Sequence, residues 1–155
     1  MRIKYLSIFA AVALLAACDT TPKDGAGAGG AGQMSVRPGS QEDLAQNVGD
    51  RVFFVTDRSD LTSEARNTLN RQSQWLKTYP QVTITIEGHA DERGTREYNL
   101  ALGERRANAV KNYLIAQGVQ NARVKTISYG KERPAVLGSD EDAWAQNRRG
   151  VTMVD

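Results

Sequence analysis

Hydrophobic and polar positions change their spacing several times along the chain, and each change marks an element. "QVTITIEG", residues 81–88, alternates: Val82, Ile84 and Ile86 fall on one side of an extended backbone, Thr83, Thr85 and Glu87 on the other. This period of two predicts a strand covered on one face, ended by Gly88. "RVFFV", 51–55, is β-branched and aromatic and predicts a strand; "ARVKTISYG", 122–130, and "GVTMV", 150–154, predict two more. Between them the period lengthens to that of a helix. Ala65, Leu69, Leu76 and Tyr79 recur near one face of "LTSEARNTLNRQSQWLKTY", which Thr62 caps, Glu64 suits at its first turn and Pro80 closes. Thr95 caps a longer helix, "REYNLALGERRANAVKNYLIAQ", stopped by Gly118. "SQEDLAQNV" predicts a short leading helix, with Ser40 as cap and Asp43 in the capping-box position, and "EDAWAQNRR" a short helical turn. The order β-α-β-α-β-β predicts an α+β fold: a mixed sheet with helices packed on one face.

The start of the chain follows another pattern. "MRIKYLSIFAAVALLAAC" opens with Arg2 and Lys4, runs apolar from Leu6 to Ala17 and meets Cys18. A short positive stretch before an apolar run too short for an ordinary membrane span predicts a signal peptide over 1–17. "LAAC" resembles the lipobox of bacterial lipoproteins, in which the cysteine is acylated and becomes the new N-terminus. The alternative is an ordinary signal cleaved after Ala17, leaving a free thiol. Cys18 is the only cysteine, so neither an internal disulfide nor a thiolate metal cluster can form. The stretch 18–39 is rich in Gly, Ala, Pro and Thr without an apolar period and is expected to be a flexible tether spanning roughly 25 Å. The folded domain is expected over 40–155.

Charge narrows the partners. The chain carries 20 Lys+Arg and 18 Asp+Glu. Two of the bases, Arg2 and Lys4, belong to the signal, so the remainder is balanced. A neutral domain is poorly suited to counterion-driven binding, and no nucleic acid is expected as partner.

The candidate chemistry centres on "GERRANAV", 103–110, where Arg105 and Arg106 stand side by side in a helix. On a helical wheel Asn99 and Tyr113 fall about 20° from Arg106, and Leu102 and Val110 about 40°. Arg106 therefore lies on the apolar stripe, and Arg105 at the boundary with solvent. An inward guanidinium needs an anion, because desolvating it alone costs several kcal/mol. Asp91, in the loop "HADERG" that precedes this helix, is the expected answer. Two readings stand side by side. In one, Asp91 and Arg106 form a structural salt bridge. In the other, they recognise a zwitterion, with Arg106 holding a carboxylate in bidentate fashion and Asp91 taking an ammonium.

Other residues invite chemistry less strongly. His89 is the only histidine, and no second ligand completes a metal site; it is expected to position its loop by hydrogen bonds. Asp91 and Glu92 resemble a catalytic carboxylate pair, but neighbours in sequence diverge, and Arg93 and Arg96 are expected to neutralise Glu92. "GKERP", 130–134, lacks the glycines of a phosphate loop. Trp75 and Trp144 are expected to pack rather than to stack ligands. Arg148 and Arg149 are expected to brace the sheet end, with Arg149 able to reach a ligand.

"EGHADERGTREYNLALGERRANAV" and "ISYGKERPAVLGSDEDAWAQNRR", together with the lipobox, resemble the OmpA-like family and, within it, the peptidoglycan-associated lipoproteins. The similarity covers nearly all of the chain after the tether. The family's helix pattern of Asn, Leu, Arg-Ala, Val and Leu is met by Asn99, Leu102, Arg106–Ala107, Val110 and Leu114. The resemblance implies an OmpA-like fold and a non-enzymatic domain that binds meso-diaminopimelate of the peptidoglycan stem. It assigns the two charges of that ligand to Asp91 and Arg106, with Asn99, Asp57 and Leu102 in the same peptidoglycan-binding set. It further implies an outer-membrane lipoprotein, anchored at Cys18, facing the periplasm and needing no cofactor or metal. Its expected partners are peptidoglycan, TolB and other proteins of the Tol–Pal system, which serves envelope integrity and cell division.

The chain departs from the family pattern in three places. The usual Asp-Phe-Asp run after the first strand reads Val55-Thr56-Asp57, which leaves only Asp57 available. Gly150 replaces an alanine and predicts a loosened start to the last strand. Asp19 follows the lipid cysteine, a position where aspartate retains enteric lipoproteins in the inner membrane. Two other functions compete on the sequence: a periplasmic wall hydrolase using Asp91, Glu92 and His89, and a purely protein-binding envelope module.

Overall fold

The computed structural model describes residues 36–155. The expected signal peptide, Cys18, Asp19 and most of the tether lie outside them.

Ser40 caps the first helix, α1 (Gln41–Asp43), by accepting from the Asp43 N–H at 3.3 Å, and the chain continues through a wider π-type turn over Leu44–Val48. The Asp43 carboxylate accepts from the Gly39 N–H and from the Trp75 indole, which ties this leading segment to the next helix. Strand β1 (Arg51–Phe53), helix α2 (Ser63–Thr78), strand β2 (Ile84–His89), helix α3 (Arg96–Ala116), strand β3 (Val124–Gly130), helix α4 (Glu141–Asn147) and strand β4 (Arg149–Val154) follow. Thr62, Thr95 and Asp140 cap α2, α3 and α4 through their side-chain oxygens.

The four strands form one mixed sheet in the order β1-β4-β2-β3. β4 runs antiparallel to both neighbours, whereas β2 and β3 are parallel, joined by the crossover α3. The alternation expected of 82–86 is realised. Val82, Ile84 and Ile86 are buried against the helices, and Thr83, Thr85 and Glu87 keep partial exposure. Leu69 and Leu76 of α2 and Val110 and Leu114 of α3 close over them, with Leu44, Val52 and Phe54 completing the core. Gln72, fully buried on α2, bridges two segments: its amide donates to Gly49 O at 2.6 Å and its carbonyl accepts from Thr152 Oγ1 at 2.9 Å.

Several boundaries differ from the sequence expectation, β2 starting at Ile84 and β3 at Val124 among them, and three of the differences have a physical reason that bears on the site. β1 ends at Phe53 rather than at residue 55, because the Val55 carbonyl turns inward to accept from Arg106 and from the Arg58 N–H. Gly88 does not end β2 but lies inside it, paired with Ser128 and Gly150. It permits close approach: a Cβ there would land on the main-chain oxygen of Gly103 in α3. β4 starts at Arg149, and Gly150 is buried and paired on both sides, so its start is not loosened.

Candidate functional site

Three segments converge on Arg106 at the end of the sheet. The close approach of Gly103 to Gly88 sets α3 against β2, and Arg106, one turn further along, projects into the gap. Its side chain is fully buried while Arg105 is exposed, as the helical stripe predicted. Nη1 donates to His89 O at 2.8 Å, Nε to Arg58 O at 2.9 Å and Nη2 to Val55 O at 3.1 Å. The guanidinium also lies 5.2 Å from the Phe54 ring centre. Burial lowers its pKa to about 10, against the opposing pull of Asp91 and Asp57, so it stays charged at neutral pH. The expected direct pair with Asp91 is corrected here. Main-chain carbonyls, whose oxygens lie at the open end of β2 and in the turn after β1, answer the charge instead of a carboxylate.

Asp91 is engaged elsewhere. Arg93 grips it with a fork, Nε to Oδ1 at 3.1 Å and Nη2 to Oδ2 at 2.6 Å, and the Arg93 N–H also donates to Oδ1. Arg148 Nη1 lies 3.4 Å from Oδ2 and its Nη2 reaches Glu141 at 2.5 Å. Burial alone raises the Asp91 pKa, but the hydrogen bonds from Arg93 and Arg148 outweigh it and hold the carboxyl below its ordinary range. Both oxygens are thereby occupied.

Above this buried layer an open cleft is lined by Thr56, Asp57, Arg93, Gly94 and Tyr98. Asp57 is exposed, and its Oδ1 lies 3.4 Å from the Tyr98 hydroxyl. It is the one non-glycine with positive φ (55°) among the described residues, a conformation aspartate tolerates at modest cost. The turn that holds Asp57 there is the turn whose carbonyls Arg106 binds. Asn99, buried, donates to Arg93 O at 2.7 Å and Thr95 O at 3.0 Å and so fixes the opposite wall.

The remaining expectations divide. Leu102 is buried and does not line the cleft. Arg149 is turned away: its guanidinium donates to the carbonyls of Asn147 and Arg133, while Arg148, the residue just before β4, reaches Asp91. His89 does position its loop, but through its main-chain carbonyl. Neither ring nitrogen has a hydrogen-bond partner, and Nε2 lies 3.5 Å from the Glu87 carboxylate. Glu92 is not neutralised by Arg93 or Arg96. It accepts from the Trp144 indole at 3.0 Å, while Arg96 pairs with Glu132. Trp75 is core, and Trp144 carries the Arg93 guanidinium 4.2 Å above its ring. Arg148 braces the sheet end by ion pairs, as expected, but the sequence reading did not foresee that its partners are Asp91 and Glu141, nor that Arg93, expected to neutralise Glu92, grips Asp91. Nothing in local spacing distinguishes them from the other surface-type arginines of the chain.

Comparison with known proteins follows the same lines. The OmpA family profile matches residues 53–148. A peptidoglycan-associated lipoprotein of Agrobacterium fabrum is 59% identical over 128 residues, covering 83% of this chain and 71% of that protein. One from Haemophilus influenzae is 44% identical, covering 96% of this chain and 95% of the other. Among solved structures, the peptidoglycan-associated lipoprotein from Burkholderia pseudomallei superposes with a TM-score of 0.68 at 41% identity, over 73% of this chain and all of that one. The C-terminal domain of Helicobacter pylori MotB shares the fold, with a TM-score of 0.64 at 20% identity over 68% of this chain and 84% of its own.

Proposed function

The chain belongs to the OmpA family, in its branch of peptidoglycan-associated lipoproteins, and from that premise we propose that it binds peptidoglycan without covalent chemistry and anchors the envelope to the wall. The ligand is the diaminopimelate of the stem peptide, whose free end carries an ammonium and a carboxylate. The observation that carries this reading is the cleft at the sheet end, which presents an exposed acid and a cation on rigid supports. Asp57 takes the ammonium. Asp91, Asn99 and Arg106 shape the cleft from below, and the buried charge of Arg106 adds a positive field to its floor. Preorganised groups lose little entropy on binding, which favours recognition of a small zwitterion.

The domain acts as a binder rather than a hydrolase. The three groups a hydrolase would use are otherwise committed: Asp91 is saturated by arginines, Glu92 is bound to Trp144, and the ring of His89 is buried. Acyl chains on Cys18 hold the protein in the outer membrane, facing the periplasm, at about 0.8 kcal/mol per buried CH₂. TolB and other Tol-system proteins are its protein partners.

The test uses the full chain purified in detergent. It is expected to co-sediment with purified sacculi without releasing soluble muropeptides, and to bind meso-diaminopimelate in calorimetry. Asp57→Asn should weaken both about tenfold, the loss of one charge-assisted contact. Release of muropeptides, or sacculus binding unchanged in the variant, refutes the reading. Palmitate labelling that survives Cys18→Ala, or failure to capture TolB, removes the anchor or the partner assignment respectively.

A further inference from the structure

β3 is an outer strand of the sheet: among the described residues it has β2 on one side and no strand on the other. It runs for seven residues, against three in the opposite edge strand β1. A free edge presents a row of unpaired N–H and C=O groups, which proteins commonly guard with charge, proline or a bulge. This edge is lightly guarded. It has no proline, its one lysine, Lys125, is drawn to Asp155 at 3.0 Å, and its bulge comes only at Tyr129. The Asp155 N–H donates to Thr83 O, so the odd residues of β2 bond β4 and the even ones bond β3. In a parallel pair this turns the main-chain groups of Thr126 and Ser128 outward. Beside the edge, α3 walls a groove made of two hollows of about 240 and 210 Å³, both lined by Leu100 and Ser128. Leu100 and Ile127, 49% and 40% exposed, are its apolar surface. Arg96 and Glu104 stand one turn before and one turn after Leu100. Arg96 is answered by Glu132 at 3.3 Å, whereas Glu104 is exposed and makes no ion pair among the described residues. The groove shares no lining residue with the cleft that holds Asp57.

We propose that this groove receives an extended segment of another protein, which adds to β3 as a further, antiparallel strand and carries a lysine or arginine for Glu104. Main-chain bonds to the edge supply the attachment, and alternating side chains the selection. The Ser128 hydroxyl donates to Leu100 O at 2.6 Å, so Ser128, and Thr126 two residues before it, face the helix, and Ile127 faces the other side of the sheet. The incoming strand therefore places an apolar side chain opposite Ser128, against Leu100. It places a β-branched one opposite Ile127 and a basic one opposite Thr126, against Glu104. The unanswered carboxylate decides between occupants. A second copy of this chain, paired edge to edge, would bring a second Glu104 into the groove and no free base to meet either, and like charges so placed repel. Because groove and cleft are separate, the segment and the wall are held at the same time.

The probe is a synthetic peptide, acetyl-Thr-Thr-Leu-Val-Lys-Thr-Thr-amide, titrated into the full chain in detergent and followed by amide NMR. Saturable shifts are expected along β3 and around Leu100, with slowed hydrogen exchange at the Thr126 and Ser128 amides and no shift at Asp57. A second peptide, with glutamate in place of the lysine, should bind about tenfold more weakly, a comparison that needs no variant of the protein. Glu104→Lys should reverse that order, and Leu100→Ser should weaken both peptides severalfold; both positions are exposed, so the fold is expected to stand. Shifts that never saturate, shifts that map to another face, or equal affinity for the two peptides overturn the proposal. Protection of the Thr126 and Ser128 amides in the peptide-free chain as its concentration is raised would give the edge to a second copy, and overturns the choice of occupant.

Discussion

Arg106 brings five N–H donors into an interior with no carboxylate in ion-pair reach, and three main-chain oxygens take its charge. Those oxygens belong to residues 17, 48 and 51 positions away in sequence, so one side chain pins the end of β2 and the turn after β1 to α3. Arg106→Ala would leave three inward carbonyls unpaired around a cavity. It is expected to destabilise the domain by about 3 kcal/mol, measured by denaturant unfolding, and to lose sacculus binding through disorder of the turn carrying Asp57. A variant as stable as wild type would show that water replaces those bonds at no cost. The inward lean of Arg106 was legible in the sequence, because it follows from the helical period alone. The identity of its partners was not, since they are backbone groups that carry no side-chain signature.

At the level of elements, the site depends on how closely α3 can lie on β2. Gly88 and Gly103 face each other without side chains, and a Cβ on Gly103 would sit 2.8 Å from Gly88 O and collide with Ser128 Oγ. Ser128 cannot swing aside freely, because its hydroxyl donates to Leu100 O at 2.6 Å. Gly103→Ala improves helix propensity by about 1 kcal/mol but overpacks a backbone contact that cannot yield. A net loss of about 2 kcal/mol is expected in chemical denaturation, with the Arg106 bonds lengthened. Strand and helix identities were readable from periodicity, and so was Thr95 as a cap. The shortened β1 and the interior position of Gly88 were not. They arise from an arginine and a helix that reach the strands from elsewhere in the chain.

At the level of the whole molecule, acid stability turns on His89. Its ring is 1% exposed, and burial, aided by Arg149 and Arg133, lowers its pKa from 6.5 to about 4. The unfolded chain binds this proton near pH 6.5 and the folded chain only near 4. Stability is therefore full above pH 6.5 and falls as the pH drops toward 4, by on the order of 3 kcal/mol. Asp91 and Asp43, whose pKa values are lowered by their hydrogen bonds, add losses at still lower pH. Unfolding midpoints at pH 4.5 and 7.5 check this: His89→Leu should remove most of the difference. An NMR titration of the wild-type ring with a midpoint near 6.5 would contradict it.

The sequence by itself determined the order of strands and helices, the buried stripe of α3, the family and the balance of charge. The family rests on the resemblance of its motifs and the others on residue spacing or composition, none of which needs coordinates. Only the tertiary structure decided that carbonyls rather than Asp91 answer Arg106, that Arg148 and not Arg149 joins Asp91, and that Arg93 lies locked at the cleft. Pairings of that kind depend on which distant segments a sheet and its crossover helix bring within hydrogen-bonding distance, a proximity that no local period encodes.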